Sequence, residues 1–172
     1  VRNQCLGFKD NTLASEACWS NLGHIFSEFY KHDSDKIYKE CYKAPTQREG
    51  RKCHFLALSS LIILPDFESL DKQLSLCRPY EDDPNREAYV KCANYIAATL
   101  LYHSLEFFDR AINYCKNIAT DSRANCFDII GTMLAQTTTS SEREKLCNNA
   151  PDNFKNHCLN GDSDDQNLFQ IN

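Results

Sequence analysis

Apolar positions recur along this chain at the three-and-four spacing of amphipathic helices, and no segment shows the alternation of a half-buried strand. Residues 1–9 read as the end of a helix carrying Cys5. Asn11-Thr12 offers the next helix start, followed by Leu13, Ala14, Ala17, Cys18, Leu22, Ile25, Phe26 and Phe29 at helical spacing. Asp33-Ser34 opens a helix through Ile37, Tyr38, Cys41 and Tyr42, and Pro45 and Gly50 mark the turn after it. A helix carrying Cys53, Phe55, Leu56, Leu58, Leu61, Ile62 and Leu64 is apolar nearly all round, which predicts burial. Pro65-Asp66 stops it and starts another, through Phe67, Leu70, Leu74 and Cys77. The longest polar turn, 78–85, holds Pro79 and Pro84. Helices then follow at 88–102, 105–118, 126–135 and 140–147, where Ser141-x-x-Glu144 predicts a capping box. Pro151 opens a short last helix ending near Cys158. The pattern predicts about nine or ten helices in one repeat domain over 1–159. Residues 160–172 carry no helical stripe and read as an extended or mobile tail.

The ten cysteines change this from a row of helices into a repeat. They lie at 5, 18, 41, 53, 77, 92, 115, 126, 147 and 158, so the gaps alternate short and long: 13, 23, 12, 24, 15, 23, 11, 21 and 11. The first members of the short pairs are 36, 36, 38 and 32 residues apart, the second members 35, 39, 34 and 32. A fixed period of this size without strand alternation is the mark of stacked helix pairs. Cysteine count alone leaves the pairing open. Copies that fold alike must pair alike, and the simplest such rule joins neighbours: Cys5–Cys18, Cys41–Cys53, Cys77–Cys92, Cys115–Cys126 and Cys147–Cys158. Each bridge is then expected to tie the last turn of one helix to the first turn of the next.

At 172 residues the chain has the length of a single domain. No CxxC or CxxCH is present, which disfavours a zinc ribbon, thioredoxin chemistry or attached haem. Regularly spaced, even-numbered cysteines predict disulfides and an oxidising compartment. The first residue is Val rather than Met, which fits removal of a targeting segment, and the longest apolar run, around 56–65, is too short to span a bilayer. The net charge is −5. Residues 1–86 hold 12 basic and 13 acidic side chains and residues 87–172 hold 7 and 11, so no basic stripe is offered to nucleic acid.

The run Ala17-Cys18-Trp19-Ser20-Asn21-Leu22-Gly23-His24-Ile25-Phe26, followed by Ile37-Tyr38-Lys39-Glu40-Cys41-Tyr42-Lys43-Ala44, resembles a tetratricopeptide or Sel1-like repeat. Trp19, Leu22 and Gly23 match the packing positions of the first helix of that pattern, and Tyr38 and Ala44 fit the second. Cys126-Phe127-Asp128-Ile129-Ile130-Gly131 echoes it, with Gly131 five residues after its cysteine, as Gly23 is after Cys18. Leu58 and Ala97 stand in that place in the second and third copies, and the Sel1 glycine-rich turn is absent. The resemblance covers most of the chain in period and the first and fourth copies in motif. It implies a right-handed α-solenoid of helix pairs, here stapled by sequential disulfides. It also implies a setting like that of the stapled Sel1-like proteins, the bacterial periplasm or the mitochondrial intermembrane space.

Candidate chemistry is sparse. The histidines are His24, His32, His54, His103 and His157, and no two stand at i,i+4 as a two-histidine zinc face requires. His24 and Glu28 share a helix face, and His103 lies three residues before Glu106. Asp162, Asp164 and Asp165 alternate as calcium ligands do but lack the distal glutamate of an EF-hand, and read first as a solvated acidic tail. No G-x-S-x-G, P-loop or dinucleotide-type glycine pattern is present. The tail residues Leu168, Phe169 and Ile171 are apolar with no local core, and are expected to dock on the chain's own last helices or on another molecule. The expectation is therefore a non-enzymatic protein–protein interaction scaffold or accessory subunit of a larger assembly. It needs no metal or cofactor, is partnered by another protein or by copies of itself, and is exported to the periplasm or outside the cell. The alternative is a hydrolase or small-ligand-binding protein with a cleft between helix pairs, using His24/Glu28 or His103/Glu106.

Overall fold

The computed structural model describes residues 2–8, 11–84 and 86–161. Among these the regular structure is ten α-helices and five short 3₁₀ turns, with no strand. The helices gather into two compact units, Val1–Leu64 and Pro65–Asn172.

The first unit holds α1 (Arg2–Leu6), α2 (Thr12–Phe29), α3 (Ser34–Cys41) and α4 (Gln47–Leu61). The Asn11 side chain caps α2 by accepting from the Ala14 amide at 3.1 Å, and Asp33 caps α3 by accepting from the Lys36 amide at 3.1 Å. Both starts were legible as polar residues before an apolar run. Gly50 was expected in the turn after α3 and instead lies inside α4. That helix starts at Gln47 because Thr46 and Glu49 form a reciprocal capping box. A Cβ on Gly50 would stand 3.1 Å from the carbonyl oxygen of Cys41, so the glycine serves the close approach of α4 to the end of α3.

α2 packs along α4, burying Trp19, Leu22, Phe26, Leu58 and Leu61. The crossing is closest at Gly23, where any Cβ would fall inside the van der Waals shell of the Cys53 carbonyl oxygen. Above it lies a buried polar tie between the same two helices. Glu16, 5% exposed, takes Lys52 Nζ at 2.5 Å and Arg48 Nε at 2.9 Å, and the Ser15 hydroxyl donates to Glu49. Charges withdrawn from water this far survive only when paired.

The second unit runs from the 3₁₀ turn Pro65–Phe67 through α5 (Leu70–Ser75), α6 (Glu87–His103), α7 (Phe108–Asn117), α8 (Arg123–Thr137), α9 (Ser140–Cys147) and α10 (Lys155–Asn160). The single helix expected from Pro65 to Cys77 is thus a 3₁₀ turn followed by a short α5 capped by Ser69. The polar stretch 78–85 includes a 3₁₀ turn, Arg78–Tyr80, that buries Tyr80. The capping box of α9 is Thr139 with Glu142, not Ser141 with Glu144, because the helix starts one residue before Ser141. α6 packs on α7 and α8, and α8 packs on α10. The α8–α10 crossing repeats the chemistry of the first unit: a Cβ on Gly131 would collide with the Cys158 carbonyl oxygen. Phe127 stacks on Phe154 at 5.1 Å, and Thr132 Oγ1 donates to the Gly161 carbonyl at 3.0 Å.

All ten cysteines pair with their neighbours in sequence, Cys5–Cys18, Cys41–Cys53, Cys77–Cys92, Cys115–Cys126 and Cys147–Cys158, with Cα–Cα separations of 5.4 to 5.8 Å. The second cysteine of each pair sits in the first or second turn of its helix rather than always in the first. The caps of α2 and α4, Asn11 and Thr46, lie well upstream of Cys18 and Cys53.

Two outcomes follow from this packing. Gly→Ala in a helix interior ordinarily gains up to about 1 kcal/mol. At Gly23 and Gly131 the added methyl strikes backbone, so Gly23→Ala and Gly131→Ala are expected to lose roughly 1–3 kcal/mol by urea unfolding. Cys18 is half-buried while its nine counterparts are buried, so limited reduction followed by differential alkylation should open Cys5–Cys18 first.

Candidate functional site

The five histidines do not converge. His24 Nδ1 lies 2.8 Å from Ser60 Oγ, and His32 Nε2 lies 3.9 Å from Glu28. His103 meets the ring of its neighbour Tyr102 edge-on, and among the described residues it makes no hydrogen bond or ion pair with Glu106. His157 Nδ1 sits 2.8 Å from Asp128 Oδ1, joining α10 to α8. Among the described residues no three His, Cys, Asp or Glu side chains gather as a metal site. The acidic triad Asp162, Asp164 and Asp165 and the apolar tail residues Leu168, Phe169 and Ile171 lie outside the described residues.

His54 is the exception in burial. It is 1% exposed, and the ring of Tyr38 meets it edge-on at 5.2 Å. Burial pushes its pKa down to about 3, so the imidazole stays neutral throughout the physiological range. Tyr114 is the matching case in the second unit. It is fully buried, with its hydroxyl 3.5 Å from Cys77 Sγ, and burial, with Tyr89 adding to it, holds its pKa well above 10. Both groups lie buried in the packing of their units.

Two hollows offer room for another molecule. The first is a wide, shallow depression on α2 lined by His24, Ile25, Glu28 and Phe29. Sequence reasoning had put His24 and Glu28 on one face, and the structure places both in this depression. Ile25 is 45% and Phe29 73% exposed, an apolar pair that the first unit leaves uncovered. His24 is held by Ser60, and the depression is open to solvent.

The second hollow is in the second unit and was not anticipated. It is a cleft of about 310 Å³ lined by Leu74, Glu81, Arg86, Tyr89, Asn117 and Ala119. Arg86 caps α6 from the left-handed region, φ 57°, with its guanidinium 4.5 Å from the centre of the Tyr89 ring. Tyr89 is buried, and its hydroxyl accepts from the Ala119 amide at 3.4 Å. An Arg-x-x-Tyr spacing at a helix start was the available signal, but nothing in sequence announces a non-glycine residue with positive φ.

No protein-family model matches the chain, and comparison with curated proteins and with solved structures finds no significant match. The geometry defines an all-α protein with five neighbour-paired disulfides. No helix among the described residues is long and apolar enough to cross a membrane.

The neutral, buried His54 sets a pH dependence. Its pKa is lower in the folded than in the unfolded chain, so it costs nothing above about pH 6.5 and destabilises the fold as pH falls from there toward 3. At pH 5 the loss is roughly 2 kcal/mol, from about 1.4 kcal/mol per unit below the unfolded value. Urea unfolding of His54→Gln beside the parent chain should show a flatter profile between pH 7 and 4.5. Parallel profiles would show that His54 takes a proton in the native state.

Proposed function

We propose that this chain is a non-enzymatic scaffold or accessory subunit that holds another protein in an oxidising compartment, the periplasm or the extracellular space, with the mitochondrial intermembrane space as the alternative. The observation that carries this reading is the uncovered apolar pair Ile25 and Phe29 on α2, flanked by His24 and Glu28. Large apolar side chains standing in water at a shallow, open surface are the raw material of an interface centre, where burial of one aromatic anchor can dominate affinity. The polar flank supplies the rim that such an interface needs.

The architecture we propose behind it is a right-handed solenoid of helix pairs related to tetratricopeptide or Sel1-like repeats. Three features support that arrangement. The cysteines have a regular period. Within each unit alternate helices pack together: α2 on α4 in the first, α6 on α8 and α8 on α10 in the second. A glycine-to-carbonyl contact recurs at Gly23 and Gly131. The five disulfides support the oxidising compartment, because thiols in the cytosol are kept reduced.

Ile25→Ser with Phe29→Ser tests the reading. Both side chains are exposed, so the double variant should keep the parent's unfolding midpoint within about 0.5 kcal/mol. Native mass measurement of material purified from its natural extract should show the parent in a complex and the variant free, with affinity for the purified partner reduced at least about tenfold. A parent chain that runs only as free monomer would overturn the scaffold reading.

A further inference from the structure

We propose that the Arg86 cleft of the second unit binds a small zwitterion, an α-amino acid or a short peptide with free ends. Arg86 would receive the carboxylate and Glu81 the ammonium. The proposal is independent of the scaffold reading, since every residue it uses lies in Pro65–Asn172.

Size comes first. A cleft of about 310 Å³ lies at the lower end of small-ligand pockets, room for one or two amino-acid units and too little for a structured partner. Charge then decides the chemistry. Arg86 is pinned from three sides: by its left-handed backbone, by the Tyr89 ring beneath the guanidinium, and by the Glu81 carbonyl, which accepts from Nη1 at 3.3 Å. A positive φ in a non-glycine residue costs energy and persists only where the surroundings hold it, a condition that gathers at ligand sites. Asp121 forms an ion pair with the Nε side of the guanidinium, its carboxylate 3.5 Å from Nε and beyond good hydrogen-bond distance. Among the described residues Nη2 has no partner, which leaves donors for a ligand carboxylate.

Glu81 supplies the opposite pole. Its backbone carbonyl is used by Arg86, while its exposed carboxylate has no partner among the described residues. Asn117 donates from Nδ2 to the Asn113 carbonyl at 2.8 Å and keeps its own side-chain oxygen as a second acceptor for an ammonium. Leu74 and Ala119 give an apolar wall for a side chain. Asp121 faces any anion held by Arg86, so discrimination falls to Glu81: a simple anion such as phosphate is repelled there, and a simple cation is repelled by Arg86. A ligand bearing both charges satisfies both poles at once.

The test is titration calorimetry on the intact chain with leucine, glycyl-leucine, N-acetyl-leucine, leucinamide and inorganic phosphate, each to about 10 mM, with backbone amide shifts of Ala119 and Glu87 followed in parallel. The expected result is that leucine or glycyl-leucine binds at least about tenfold tighter than either blocked form and than phosphate, with the Ala119 amide moving. Arg86→Lys keeps the charge but loses the planar fork, and should weaken binding about tenfold. Glu81→Gln, on an exposed turn where folding is not at stake, should erase the preference for leucine over N-acetyl-leucine. Absence of heat and shift with all five ligands, equal binding of blocked and free forms, tighter binding of phosphate, or unchanged affinity in Arg86→Lys would each overturn the proposal.

Discussion

A disulfide forms only where two Cα atoms come within roughly 4.4–6.8 Å, whereas packed helix axes stand about 8–10 Å apart. Corners, where one helix ends and the next begins, are where a chain of helices meets that condition most readily. All five bridges lie at such corners, with Cα atoms 5.4 to 5.8 Å apart and partners 11 to 15 positions apart in sequence. Loops of that size each restrict the unfolded chain by roughly 3 kcal/mol. Several of the helices so joined are too short to persist alone: α1, α5 and α10 span five or six residues each. Their place in the fold depends on the covalent bond beside them more than on their own propensity.

Within that covalent frame the packing is set by register. Residues about one repeat apart face each other: Glu16 with Lys52, Ser15 with Glu49 and His24 with Ser60, separated by 36, 34 and 36 positions. Gly23 and Gly131 each stand five residues after a cysteine, and each lies against the backbone carbonyl of a later one, Cys53 and Cys158. The same sequence position therefore does the same work in both units. In the second copy that position is Leu58, whose side chain is fully buried, and the boundary between the two compact units follows it at Leu64.

What the sequence disclosed was whatever repeats or punctuates. The cysteine period gave the pairing, and Asn11 and Asp33 marked helix starts by the same hydrogen-bond logic the structure shows. Errors arose where two local rules compete. Gly50 obeyed a packing demand from α3 rather than a turn, and Thr139 outcompeted Ser141 as the cap because its reciprocal glutamate is Glu142. The His24–Glu28 face was legible from i,i+4 spacing, although its openness was not. The Arg86 cleft was hidden because it depends on a backbone conformation and on Asn117 and Ala119, residues from a distant stretch of the chain. The pairs one period apart were within reach: writing the copies beneath one another places Glu16 near Lys52.

The most direct test of this account is a peptide map of the non-reduced chain by mass spectrometry, digested at acid pH so that thiols do not exchange. The account predicts five linkages, each joining a cysteine to its next neighbour in sequence, and no free thiol. A bond that skips a corner, such as Cys18 to Cys41, or a free thiol at any of the ten positions, would contradict it.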